Sequence, residues 1–153
     1  MHQESAHLEV QSVFNQILVA LDSSDQSDYV IQCVLQIQLQ PSTMIVLCHV
    51  IELSETNLEQ PADLPFIDPE LGQFRHIEKA LQAHQAKLPC PSELEIVMGE
   101  PTEEIIRLAN IYHADLIVLG SRGLTGVNRI LKGSVSSQVV TDAPCTVMVV
   151  RLS

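Results

Sequence analysis

Short apolar runs alternate with longer amphipathic stretches along this chain. Five runs of four to seven residues are rich in branched side chains, and this length and composition are typical of strands in a sheet. The runs occupy residues 17–21, 44–50, 93–98, 116–119 and 146–150. The run at 93–98 alternates polar with apolar positions, which is typical of an edge strand half open to solvent. The pattern therefore predicts a largely buried sheet with one half-exposed edge.

Helical periodicity fills most of the intervals between these strands. The predicted helices cover residues 25–39, 70–88, 101–112 and 135–141. In the second helix, Phe74, Ile77 and Leu81 share the stripe that we expect to face the core. Strands that alternate with helices give a parallel sheet with right-handed crossovers and helices on both faces. We therefore predict an open α/β fold.

Two stretches of the chain show no sustained period. Residues 1–14 have mixed polarity and predict a flexible N-terminal tail. Residues 52–69 are acidic and carry three prolines, which predicts an exposed loop. The remainder, residues 15–153, has the length of a single domain, which buries about two thirds of its unfolded surface without disulfide support.

A glycine-rich segment separates the fourth strand from the last helix. It contains Gly120, Gly123 and Gly133, and Ser134 follows directly. Glycines let backbone N–H groups approach a bulky anion without obstruction from a Cβ atom. The start of the following helix, which Ser134 can cap, favours phosphate through its N–H groups and partial positive charge. The charged side chains of the segment are all basic, namely Arg122, Arg129 and Lys132. The segment therefore predicts an anion site.

At these residues the chain resembles the universal stress protein family. Nucleotide-binding members of that family carry Gly, two residues, Gly, nine residues, Gly and then Ser or Thr, and Gly120, Gly123, Gly133 and Ser134 match this pattern without a gap. The resemblance extends over nearly the whole chain, since residues 16–22 are similar to the family's first strand, which ends in an acid. Residues 44–50 are similar to its second strand, which ends in His-Val.

The resemblance implies a fold and the position of a ligand. The fold is a Rossmann-like, open parallel five-stranded sheet of the adenine nucleotide alpha-hydrolase type, with strand order 3-2-1-4-5. Strands 1 and 4 then lie side by side at the topological switch point, and ligands of such sheets bind at the carboxyl ends of the strands there. Asp22 ends the first strand and Gly120 ends the fourth, so we expect them to meet in one crevice.

The resemblance also implies the residues that contact the nucleotide. They are Ala20, Leu21, Asp22, Val50, Leu119, Gly120, Arg122, Gly123, Gly133, Ser134, Val135 and Ser136. Asp22 would contact the nucleotide or a phosphate-bound Mg²⁺, although an aspartate before a helix can also simply cap it. Val50 would offer backbone groups to the adenine or only end its strand. Arg122 would meet phosphate oxygens or remain a solvated arginine.

The resemblance therefore implies an adenine-nucleotide-binding protein, for ATP or AMP, that acts as a stress-response binding or signalling module. Alternatives are a slow ATP hydrolase, a sensor of another adenine nucleotide such as a cyclic nucleotide, and a pure interaction protein. The sequence contains neither a Gly-x-x-x-x-Gly-Lys-Ser/Thr loop nor a Gly-x-Ser-x-Gly elbow, so an enzyme of those classes is disfavoured.

Net charge, cysteine spacing and the length of the apolar runs limit the kinds of partner and the cellular compartment that we expect. The formal charge of −11 argues against a nucleic-acid partner, because such affinity depends on Lys and Arg contacts to phosphates. The four cysteines contain no Cys-x-x-Cys pair, and Cys33, Cys48 and Cys145 are expected to be reduced core residues. No apolar run approaches the roughly 20 residues of a membrane span, and the N-terminus lacks signal-peptide features, so a cytoplasmic protein is predicted. The resemblance further implies a homodimer that pairs through residues 146–150.

Overall fold

Five parallel strands form the sheet that the apolar runs predict. They are β1 (Gln16–Ala20), β2 (Met44–Ile51), β3 (Ser92–Met98), β4 (Leu116–Gly120) and β5 (Thr146–Val150). The computed structural model describes residues 14–22, 26–52, 69–121 and 135–151. Within it the strand order is β3-β2-β1-β4-β5, which confirms the predicted topology and puts β3 at an edge.

Four helices cover the two faces of this sheet in the described part of the chain. They are α1 (Gln26–Leu35), α2 (Pro69–Gln85), α3 (Pro101–Ile111) and α4 (Val135–Asp142). Because strand side chains alternate between faces, Ile17 of β1 packs with α1 and α2, whereas Leu18 packs with α3 and α4. We call these two clusters the α1/α2 core and the α3/α4 core. Both residues are at most 1% exposed, so β1 is buried on both faces.

The first helix ends earlier than its periodicity predicts. It stops at Leu35 rather than at residue 39, because the chain tightens into a turn where the N–H of Gln36 donates to the C=O of Cys33 at 3.1 Å. A second turn follows, in which the N–H of Gln40 donates to the hydroxyl of Thr43 at 3.0 Å. Thr43 is fully buried, so this second turn leads the chain directly into β2.

The prediction for the inner stripe of α2 is right at two positions and wrong at the third. Ile77 and Leu81 are 4% and 2% exposed, and both lie in the α1/α2 core. Phe74 is 39% exposed. Only the later part of α2 is therefore pressed against the sheet.

The histidines also differ in their environments. His49 is buried in β2. His76 and His84 are eight residues apart on one helix, a pattern that predicts two solvent-facing side chains rather than a metal site, and His76 is exposed. The side chain of His84 is only 12% exposed and its Nδ1 lies 3.5 Å from Oδ1 of Asp28 in α1, so the expectation for His84 is wrong. Asp28 lies in another helix, so this contact cannot be predicted from periodicity within α2.

Parts of the predicted organisation lie outside the described residues. These are residues 1–13 of the predicted tail and 53–68 of the predicted loop. Phe14, the first described residue, packs against the α1/α2 core. Among the described residues, no helix combines the length and the apolar character that crossing a membrane requires.

Candidate functional site

The carboxyl ends of β1 and β4 lie side by side at the centre of the sheet. The last pair of their register is Ala20 with Leu119. Beyond it, the chain from β1 continues to α1 on one face, and the next described helix after β4 is α4 on the other face. A parallel sheet opens a crevice where consecutive connections leave in opposite directions. The predicted meeting of the β1 and β4 ends is therefore observed.

Asp22 lies two residues past the end of β1, at this crevice, and is partly exposed. The hydroxyl of Ser27, in the first turn of α1, donates to the backbone C=O of Asp22 at 2.7 Å. The same hydroxyl lies 3.3 Å from Oδ1 of the Asp22 carboxylate. Sequence reasoning missed Ser27, because neither periodicity nor a motif distinguishes it from the neighbouring Ser23 and Ser24.

The backbone direction of Val50 follows from the hydrogen bonds of β2. The N–H of Met44 donates to the C=O of Asn15, and the C=O of Cys48 accepts from the N–H of Leu21, each at 2.9 Å. In a parallel strand, every second residue directs both its N–H and its C=O toward the same neighbour. Even-numbered residues of β2 therefore point their backbone groups toward β1, and Val50 belongs to this set.

Val50 also lies beyond the end of its neighbour. The pairing of β1 with β2 ends at Ala20 and Cys48, whereas β2 continues to Ile51, which pairs with Met98 of β3. The N–H and C=O of Val50 therefore face the space beyond the last β1–β2 pair. One donor and one acceptor from a single residue thus point into the crevice in the plane of the sheet.

The start of α4 approaches the same edge. The hydroxyl of Ser136, a residue that is 6% exposed, lies 3.5 Å from the backbone C=O of Ser121, the residue after β4. The N–H of Ser121 donates to the C=O of Val150 at 2.8 Å, so this end of β4 is fixed against β5. The first turn of α4 contains no acidic side chain. Its N–H groups and partial positive charge are suited to an anion at this edge.

Besides Val50 and Ser136, three more of the predicted contact residues have buried side chains. Ala20 and Leu119 lie in the α3/α4 core and Leu21 in the α1/α2 core, each at most 4% exposed. Only their backbone atoms are therefore suited to meet a ligand. Val135 also packs against the α3/α4 core, and Gly120 is partly exposed at the end of β4. Arg122, Gly123, Gly133 and Ser134 lie outside the described residues, as do Arg129 and Lys132, and they stay predictions.

The chemistry near the crevice is not that of a reactive thiol. Cys48, opposite Ala20, is fully buried, and burial together with the negative charge of Glu95 raises the pKa of its thiol to about 12. A thiolate is the nucleophilic form of cysteine, so Cys48 stays protonated and inert near neutral pH. Within the described ranges, no three His, Cys, Asp or Glu side chains are arranged to hold a metal ion.

Comparisons with known proteins identify the family and the fold of this chain. The model of the universal stress protein family matches residues 14–151. A universal stress protein of Thermus aquaticus is 31% identical over 141 residues, which cover 91% of this chain and all of the relative (100%). The solved structure of a universal stress protein in complex with cAMP has a TM-score of 0.67 at 22% identity, over 93% of this chain and 100% of that one. For a universal stress protein of Archaeoglobus fulgidus in complex with dAMP, the TM-score is 0.58 at 19% identity, over 90% and 98% of the two chains. The predicted family and fold are confirmed.

Proposed function

Because this chain belongs to the universal stress protein family, we propose that it binds an adenine nucleotide at the carboxyl edge of β1 and β4. The protein then acts as a stress-response module whose state reports the bound nucleotide. ATP and AMP are the ligands that the glycine pattern favours. The cytoplasm, which the sequence predicts, is the compartment in which we expect it to act.

The backbone of Val50 is the observation that carries this proposal. Its C=O accepts a hydrogen bond from the N6 amino group of adenine, and its N–H donates to N1. Guanine presents an acceptor and a donor at these two positions, so both contacts would be mismatched. Because a buried unsatisfied group costs about 1–3 kcal/mol, the pair discriminates against guanine nucleotides without any side chain.

The phosphates lie on the other side of the crevice in this proposal. The first turn of α4 supplies N–H groups from Val135 and Ser136, and the predicted loop supplies those of its glycines. Arg122 adds a cation that meets phosphate oxygens. Asp22 lies between base and phosphates, where its carboxylate accepts a ribose hydroxyl or meets a Mg²⁺ that arrives with the nucleotide.

The two ligand-bound structures support an adenine ligand rather than one particular phosphate chain. One universal stress protein was solved with cAMP and the other with dAMP, so the two ligands share adenine and one phosphate on the 5′ oxygen but differ in the cyclisation of that phosphate and in the sugar hydroxyls. A site that recognises adenine by backbone groups accommodates several phosphate arrangements. The test therefore compares nucleotides instead of assuming ATP.

Titration calorimetry on nucleotide-stripped protein tests the proposal. We expect ATP, ADP, AMP or cAMP to bind, and GTP and GMP to bind at least about tenfold more weakly. Gly123→Val should abolish binding. Its matched control is Gly72→Val, because a Cβ at Gly72 of α2 meets no atom within 4 Å. If no adenine nucleotide binds the wild-type protein, the proposal fails.

Hydrolysis and assembly are separate outcomes. Steady phosphate release from ATP that Asp22→Ala abolishes would make the protein a slow hydrolase instead of a binding module.

We also propose a homodimer through β5, which is an edge strand of the described sheet and presents partly exposed apolar side chains. Light scattering at micromolar concentration should give twice the chain mass, and a monomer would contradict this proposal.

A further inference from the structure

We infer that Ser27 is a positioning residue for Asp22 in the nucleotide site. This inference rests on the proposed function and adds to it a residue outside the predicted contact set. Ser27 is 4% exposed, although it lies in the first turn of a helix at the carboxyl edge. Its hydroxyl reaches both the main chain and the side chain of Asp22, at 2.7 Å and 3.3 Å.

The distances assign a direction to these contacts. A serine hydroxyl has one proton, and 2.7 Å to the Asp22 C=O is an ordinary O–H···O length, whereas 3.3 Å to Oδ1 is long. The proton therefore goes mainly to the C=O and is shared weakly with Oδ1. This arrangement fixes the backbone at Asp22 and favours the carboxylate orientation with Oδ1 near the hydroxyl.

The contact differs from the usual role of a serine at a helix start. Such a serine caps the helix by accepting a backbone N–H of its own first turn. The Ser27 hydroxyl instead donates to a residue five positions earlier, beyond the end of β1. The contact therefore joins the start of α1 to a residue that lies two positions past the end of β1, the switch-point strand.

Holding Asp22 in place lowers the cost of ligand binding. A carboxylate that is free to rotate loses rotamer freedom when it accepts a ribose hydroxyl or meets a metal ion, and pre-ordering removes part of that loss. Since one hydrogen bond of this type contributes on the order of 1 kcal/mol, Ser27→Ala should weaken nucleotide affinity about three- to tenfold. The effect must act through Asp22, because the Ser27 hydroxyl is already directed at it.

A double-mutant cycle tests this inference. ATP and AMP are titrated into wild-type protein, Ser27→Ala, Asp22→Ala and the double variant, each well below its unfolding midpoint. We expect Ser27→Ala to weaken binding in the wild-type background and to change it by less than about twofold in the Asp22→Ala background. A purely structural serine would cause the same loss in both backgrounds, which would overturn the inference.

Two conservative variants separate the hydroxyl from the packing. Ser27→Thr keeps the donor and should restore affinity toward the wild-type value, whereas Ser27→Cys keeps the size with a weak donor and should resemble Ser27→Ala. If the threonine methyl destabilises the buried position, the nucleotide affinity of Ser27→Cys relative to wild type still shows whether the hydroxyl is needed. Wild-type affinity in Ser27→Cys and Ser27→Ala would overturn the inference while the proposed function stands. No binding to the wild-type protein would remove the function and the inference together.

Discussion

Gln16 and Asp115 are hydrogen-bonded to each other in both directions. The N–H of Gln16 donates to Oδ1 of Asp115 at 3.1 Å, and the N–H of Asp115 donates to the C=O of Gln16 at 2.8 Å. The same carboxylate accepts the N–H of Asn15, at 2.9 Å to Oδ2. One side chain therefore ties the start of β1 to the start of β4, at the opposite edge of the sheet from Asp22.

Asp115→Ala should reduce stability without affecting the ligand site. It removes the acceptor of two backbone N–H groups, so we expect the free energy of unfolding to fall by about 1–2 kcal/mol. Nucleotide Kd should change by less than about twofold, because the substitution lies at the other end of the strands. Denaturant unfolding and calorimetry measure the two quantities.

The exposed Asp142 provides the control for this substitution. Its carboxylate accepts only a surface contact from Gln138 of the same helix, at 2.8 Å, so Asp142→Ala should change stability by about 0.5 kcal/mol or less. Weaker nucleotide binding by Asp115→Ala at unchanged stability would contradict the separation of the two edges.

Strand positions were the most predictable part of this fold. The apolar runs match the observed strands to within one residue at each end. For β1, β2 and β4 the reason is that strands buried on both faces need uninterrupted branched apolar residues. The end of α1 was not predictable in this way, since the turn at Gln36 depends on where the chain must enter β2. Local periodicity contains no information about that constraint.

The site was predictable in position but not in backbone direction. Asp22 and Gly120 could be assigned to one crevice from the strand order that the family resemblance implied. The orientation of the Val50 amide depends on the parity of β2 residues in the register, which the pattern of side chains does not fix. Ser27 was missed for a similar reason, because its partner, Asp22, precedes α1 and has no place in the period of that helix.

Leu81 and Phe74 should differ in their contribution to stability. Leu81 is 2% exposed, so Leu81→Ala removes a fully buried side chain and should cost about 2–5 kcal/mol. Phe74 is 39% exposed, and Phe74→Ala should cost less than half as much although it removes more atoms. Urea unfolding of both variants measures the difference. Equal costs would mean that Phe74 packs inward, as its periodicity suggests.

His84 should make stability depend on pH. Burial lowers the pKa of its imidazole, the nearby Asp28 carboxylate opposes this shift, and the Lys87 ammonium adds to it. At higher pH the imidazole is neutral in both the folded and the unfolded state, so it does not change stability. As the pH falls, the unfolded chain binds this proton more readily than the folded protein does. Stability falls as pH drops below the ordinary histidine value, and the loss is complete below the folded pKa.

Unfolding midpoints between about pH 7.5 and 5 test this effect. His84→Gln should flatten the curve, while His76→Gln, at an exposed position of the same helix, should leave its slope unchanged. Asp28→Asn removes the attractive carboxylate and should deepen the acid loss. Identical slopes for His84→Gln and wild type would contradict the assignment of the acid loss of stability to His84.

Val50→Ala should separate base recognition from packing. The Val50 side chain is 4% exposed and packs in the α3/α4 core, so its truncation should lower the free energy of unfolding by about 1–3 kcal/mol. If adenine is recognised by the N–H and C=O of this residue, the ratio of AMP to GMP affinity should stay within about threefold of wild type. Calorimetry with both nucleotides, at a temperature where the variant is fully folded, gives this ratio. A variant that binds AMP and GMP equally would place the discrimination in the side chain or elsewhere, and the backbone of Val50 would then have no part in choosing the base.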